Sequence, residues 1–236
     1  MTHTAKSFSL QPFQPTPLTT DVTITGHVLR EGPSLTIDYL ISGNWKKVVI
    51  AESNLGNSAE NDTRPNDTAP NNTRPNDTAP KRRDRLWEKT CFEFFLAQGT
   101  THDQQQPYWE FNMAPSGDWN VFALNSYRQG LREETAIANL PFAVHSAPDG
   151  LRLSVTLNIA KLITSEASTA PLQLGVSMVV LLRADTIEKG KVKGKRNHMI
   201  EEEAAEEGAV KETFWAIAHP APQADFHHPK SLSLQL

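Results

Sequence analysis

YWEFNMAPSGDWNVF, residues 108–122, reads as a strand, a turn and a second strand. Pro115, Ser116 and Gly117 are standard turn formers. Successive side chains of a strand point to opposite faces, so Trp109, Phe111 and Met113 form one set and Tyr108, Glu110 and Asn112 the other. The run CFEFFLA, 91–97, divides in the same way. Phe92, Phe94 and Leu96 project to one side, and Cys91, Glu93, Phe95 and Ala97 to the other. If the two strands pair, the first sets line a core. Glu93, Tyr108, Glu110 and Asn112 then share the opposite face.

The same period of two runs through the rest of the chain. Leu35, Ile37, Tyr39 and Ile41 share a face, as do Leu151, Leu153, Val155, Leu157 and Ile159. A third run alternates from Leu172 through Leu174, Val176, Met178 and Val180 to Leu182. Further strands are expected at 22–30, 46–52, 119–127, 141–146, 213–218 and 231–236. Many short strands with one apolar face each predict an all-β fold, an antiparallel β-sandwich of jelly-roll or immunoglobulin-like character.

Two polar inserts interrupt this pattern. Residues 61–80 read NDTRP, NDTAP, NNTRP, NDTAP, four tandem copies of a five-residue unit. Each copy ends in proline, which lacks the amide proton a ladder needs, and none carries a large apolar side chain. Such a segment buries too little to offset its ordering entropy, so 53–83 is expected to be a disordered loop. The Asn-X-Thr triplets at Asn61, Asn66, Asn71 and Asn76 follow from the repeat. The second insert, 185–211, is basic in its first half and acidic in its second, which suits a solvated hairpin loop better than a basic patch. Without the inserts, 178 of the 236 residues remain, enough for one domain.

Charge and composition exclude several classes. The net charge of −4 leaves no basic excess for a phosphate backbone, so no nucleic-acid partner is expected. The first fifteen residues hold no apolar segment of signal-peptide length, and no run approaches a membrane span; a cytoplasmic protein without membrane contact is expected. The single cysteine, Cys91, excludes a disulfide framework and reads as a small buried apolar residue.

Two constellations could carry function. The face bearing Glu93, Tyr108, Glu110 and Asn112 offers acceptors and donors beside aromatic planes, which a polyhydroxylated ligand needs. An ordinary solvated sheet face with cross-strand pairs is the plain alternative. The C-terminal run FWAIAHPAPQADFHHPKSLSLQL gathers Trp215, His219, Asp225, His227 and His228. The last four are weak metal candidates, because the adjacent His227 and His228 point to opposite sides of a strand; histidine–aspartate hydrogen bonding that pins the last strand is the ordinary alternative, and no metal is expected. Asp118, beside Trp119, suits a turn cap. Ser116 lacks the glycines of a nucleophile elbow.

The segments DRLWEKTCFEFFLA, YWEFNMAPSGDWNVF, YRQGLR and the C-terminal run together resemble the DOMON-like bacterial domains, relatives of the family 9 carbohydrate-binding modules. The resemblance spans most of the chain outside the inserts. It implies a jelly-roll sandwich with a ligand site on one sheet or at its rim. It also implies aromatic clamps for a sugar ring, for which Trp87 and Trp215 are the candidates, with Glu93, Glu110 and Asn112 as hydrogen-bonding partners. Other members of the wider superfamily bind haem through methionine and histidine, which would here be Met113 and His219.

A non-catalytic carbohydrate-binding domain, with a carbohydrate or other small polar ligand as partner and no obligatory cofactor, is therefore the leading expectation. The alternatives are a haem or electron-transfer domain, a glycosidase using Glu93 and Glu110, and an interaction module working through its inserts. Glycosidase chemistry requires two carboxyl groups about 5–9.5 Å apart around a cleft.

Overall fold

The computed structural model describes residues 3–50, 80–100, 103–163, 170–184 and 208–236. Its twelve strands form one antiparallel sheet. They are β1 (His3–Pro12), β2 (Val22–Glu31), β3 (Ser34–Gly43), β4 (Cys91–Gln98), β5 (Tyr108–Met113) and β6 (Trp119–Leu124), then β7 (Arg132–Glu133), β8 (Phe142–Ala147), β9 (Gly150–Asn158), β10 (Leu172–Arg183), β11 (Val210–Ala216) and β12 (Leu234–Gln235). The strand order is β7-β6-β5-β4-β10-β11-β1-β2-β3-β9-β8, with β12 added beside β10. One four-residue helix, α1 (Pro17–Thr20), joins β1 to β2.

β1 is the corner of this sheet. His3 to Leu10 pair with β2, whereas Gln11 and Pro12 pair with β11. The sheet therefore curls through β1 into a half-barrel, and strands distant in the order meet across its interior. The Tyr39 hydroxyl on β3 donates to the Glu93 carbonyl on β4 at 2.8 Å, and the Tyr39 and Phe92 rings meet edge to face at 5.2 Å. Strands β3 and β4 are five steps apart along the sheet.

The core fills this curl with the residues that alternation predicted. Leu35, Ile37, Tyr39 and Ile41 are buried, as are Phe92, Phe94, Leu96, Phe111 and Met113 and the even-numbered apolar residues of β10. Phe94 and Phe111, opposite each other in the β4–β5 ladder, stack with centroids 4.1 Å apart. Each such side chain taken from water contributes about 1.5–3 kcal/mol, so the interior row holds the curled sheet together.

Several boundaries differ from those expected. A strand at 46–52 is replaced by a 3-10 turn, Trp45–Lys47, and a single bridge from Val48 to Leu182. β1 escaped the pattern because its first half is exposed and polar on both faces. The final strand shrinks to Leu234–Gln235 after a 3-10 turn at Pro229–Ser231. Most of the repeat insert, and residues 185–207, lie outside the described residues. Residues 80–83, assigned to the first insert by sequence, belong to the folded domain. Arg82 donates to Asn120 Oδ1 at 2.8 Å and to the carbonyls of Val121, Glu134 and Ile137, with its guanidinium 4.4 Å from the Trp119 ring. β11 likewise begins at Val210, inside the expected second insert. Among the described residues no helix is long and apolar enough to cross a membrane.

Candidate ligand-binding site

The second face of β4, β5 and β10 carries the site. Register places Glu93 between Ser177 and Asn112, and Phe95 between Gly175 and Glu110. Glu93, Tyr108, Glu110 and Asn112 therefore share one face, as alternation required. That face is not open to solvent. Glu93 is 3% exposed, Glu110 5% and Asn112 0%.

The cover is the chain after β11. Phe226, His227 and Leu232 press onto the sheet, packing with Phe95 and Tyr108. Gly175 permits the approach, since a Cβ there would lie 3.1 Å from the Ser231 carbonyl oxygen. Asp225 fixes the segment. It accepts from the Tyr127 hydroxyl and, at 2.8 Å, from the Arg128 guanidinium, while its own carbonyl accepts from Ser231 Oγ at 3.0 Å. Arg128 holds φ of 56°, a left-handed conformation that a non-glycine residue adopts only when its surroundings hold it there.

Between sheet and cover is a recess of about 500 Å³. Glu93 and Glu110 line its polar side, and Trp87, Phe95, Phe214 and Phe226 are its aromatic walls, with Arg128 also facing it. The Trp87 ring is steadied edge-on by Phe122, and Phe214 by Phe226. The size and the mixture of apolar walls with few polar groups suit a small-molecule site.

A hydrogen-bonded chain orders the polar side. Asn112 Nδ2 donates to Glu110 Oε1 at 2.7 Å, and Ser177 Oγ donates to Glu93 Oε2 at 3.5 Å. The Arg128 backbone N–H donates to the Tyr108 hydroxyl at 3.2 Å, which directs the phenolic proton to His227 Nδ1 at 2.8 Å. His227 then keeps its proton on Nε2, 3.8 Å from Glu110 Oε2.

Burial sets the protonation states. It lowers His227 to about 4, assisted by the Arg128 charge, so the imidazole is neutral near pH 7. It raises the Glu93 carboxyl well above the usual range, and the Glu110 charge raises it further. Glu110 is raised chiefly by burial, with the Asn112 hydrogen bond opposing. Tyr108 is pushed up to about 12, again mainly by burial. Burial also raises Asp225, but the hydrogen bonds from Tyr127 and Arg128 outweigh it and hold this carboxyl below its ordinary value.

Other sequence candidates fall elsewhere. Trp215 is a correction. It is 2% exposed within the main core, opposite Met178, and its indole N–H donates to Thr213 Oγ1 at 2.9 Å. Its neighbour Phe214 has the parity that faces the recess. Met113 is fully buried in that same core, while His219 Nε2 donates to the Gln11 carbonyl at 2.8 Å. The two are therefore not brought together in the recess. His228 accepts from the Lys230 N–H and caps the 3-10 turn. Among the described residues no group of three or more His, Cys, Asp or Glu side chains is placed to hold a metal ion. Cys91 is fully buried and its thiol is pushed well up, mainly by burial and next by Glu93, which leaves it a poor nucleophile. Asp118 does not cap its own turn: its side chain accepts from the Lys81 N–H at 3.0 Å and pairs with Arg83 at 2.8 Å, tying the turn to the segment before β4.

Sequence reasoning missed Arg128, Phe214 and Phe226, and gave His227 a metal role or a hydrogen bond to aspartate that pins the last strand, not a place in the recess. Parity could have found Phe214, because Met178 belongs to the core set and its partner Trp215 must share that side.

No protein-family model and no curated protein matches the sequence. The fold is similar to that of a "putative carbohydrate-binding protein" from Bacteroides uniformis, at a TM-score of 0.51 and 10% identity, over 94% of this chain and 83% of that one. At that identity the likeness shows a shared fold.

Proposed function

We propose that the protein is a non-catalytic binding domain for a carbohydrate or similar polyhydroxylated ligand, held in the recess between the β4–β5 face and the C-terminal segment. One observation carries this reading: two buried carboxyl groups and four aromatic side chains, from several elements, border one recess of about 500 Å³. Carboxyl oxygens can accept from sugar hydroxyls while an aromatic face receives the apolar C–H side of a ring. The similar fold of the Bacteroides protein gives this further support.

The finer identity belongs to the same proposal. The curled sheet is read as a jelly-roll sandwich of DOMON-like type, with Trp87, Glu93, Tyr108, Glu110 and Asn112 at its site. Tyr108 and Asn112 act through their neighbours, as ligands of His227 and Glu110. Phe214 and Phe226 replace Trp215 as the second aromatic wall. The haem reading has less support, because the Met113 thioether is packed in the core.

Isothermal titration of the full chain against a panel of mono- and disaccharides tests the proposal. Binding is expected for at least one sugar, and Trp87→Ala is expected to weaken it by roughly tenfold, the scale of one lost aromatic contact. A panel with no heat at millimolar sugar would overturn it.

A further inference from the structure

The recess is short of positive charge. Glu93 and Glu110 line it, and Glu212 on β11 adds a third carboxyl group. Glu93 has no ion pair among the described residues; its side chain meets Ser177 and the thiol of Cys91. Glu110 faces a neutral imidazole at 3.8 Å. Arg128 is the cation at the rim, and its guanidinium is taken by Asp225. The rings of Trp87, Phe95, Phe214 and Phe226 border the same recess as these carboxyls, Phe214 from the same sheet face and Phe226 from the covering segment. A carboxylate facing aromatic walls is the combination that stabilises a desolvated ammonium group, by charge and by the negative faces of the rings.

We propose that the ligand of this recess carries a cationic nitrogen beside its hydroxyl groups, as an amino sugar does, with Glu93 and Glu110 receiving the ammonium against the aromatic walls. This rests on the recess being the ligand site. It adds a charge requirement that a neutral sugar does not meet.

A consequence is proton release. The groups facing Glu93 are Cys91 on its own strand, Glu110 on β5, Ser177 on β10 and the Tyr39 hydroxyl at its backbone. None is a cation, so burial favours the protonated carboxyl in the empty recess. An arriving ammonium reverses that balance, and the carboxyl gives its proton to the buffer.

The test is calorimetry of the full chain at pH 6 with glucosamine hydrochloride, glucose and choline chloride, each in two buffers of different ionisation enthalpy. Glucosamine is expected to bind about tenfold or more tightly than glucose, the scale of a charge-assisted hydrogen bond. Its apparent enthalpy should differ between buffers in proportion to the protons released. In Glu93→Gln, verified by a cooperative thermal transition, the preference should fall toward one; Glu110→Gln gives the same readout should the first variant not fold. Glucose binding as tightly as glucosamine overturns the cation requirement and leaves the sugar reading intact. Choline binding without either sugar supports the cation requirement and overturns the sugar reading. Silence from all three overturns both, and tight glucosamine binding without proton release overturns the assignment to the carboxyls.

Discussion

The hydroxyl of Tyr108 lies 2.8 Å from Nδ1 of His227, tying a floor strand of the recess to a segment 119 residues later. Donation from the phenol to Nδ1 requires a neutral imidazole, since a protonated ring has no acceptor there. Burial lowers His227 in the folded chain to about 4, against 6.5 for an ordinary imidazole. Between those values the unfolded chain binds the proton and the folded chain does not. The stability that neutral His227 provides is complete above the unfolded value and is lost as pH falls toward the folded one. That loss is at most ~3 kcal/mol. Urea denaturation at intervals from pH 7.5 to 4 should show it, and His227→Gln should flatten that limb. Equal slopes for both proteins would contradict the latch.

Glu93 has the opposite sign. Its folded pKa is raised, first by burial and then by Glu110. Its contribution is fully present below the ordinary carboxyl value and is lost as pH rises through the folded one. Glu93→Gln, which cannot ionise, should gain on the wild type as pH rises. The Tm difference between variant and wild type is expected to shift in the variant's favour by at least ~2 °C from pH 5 to pH 8. The same Tm difference at both values would sink the assignment.

Arg82 marks where the folded domain resumes after the repeat. Its removal strips donors from Asn120 and from three backbone carbonyls, and uncovers the Trp119 ring. Arg82→Ala should cost about 1–3 kcal/mol in denaturant unfolding, the penalty for the Glu134 and Ile137 carbonyls that lose this donor, since Asn120 Oδ1 and the Val121 carbonyl each keep a backbone N–H. A loss under 0.5 kcal/mol, the usual surface value, would return this residue to the insert.

Gly175 lets the C-terminal segment lie close against β10. A valine there must push Ser231 and Leu232 outward. Gly175→Val should destabilise by ~1–3 kcal/mol and also weaken ligand binding, because the same segment carries Phe226 and His227. Unchanged affinity would show that the cover does not shape the recess.

The strands were legible because period two is a local signal, and every member of the Glu93–Tyr108–Glu110–Asn112 face was assigned to its correct side. What alternation cannot say is what lies above a face. The burial of these residues comes from Phe226, His227 and Leu232, brought by a segment without regular strand structure. Arg128 was hidden for the same reason: its role depends on Asp225, 97 residues away. Trp215 failed differently. An aromatic pair at a strand end, Phe214–Trp215, puts one ring on each face, and the larger residue went to the core.

The most direct test is a crystal structure of the full chain soaked with the tightest sugar of the calorimetric panel. Density between Trp87 and Phe226, with ligand polar atoms within hydrogen-bond reach of Glu93 or Glu110, is the expected result. A ligand seated instead in the groove beside Trp215, Ser9 and Thr23, with the recess left to solvent, would contradict the account.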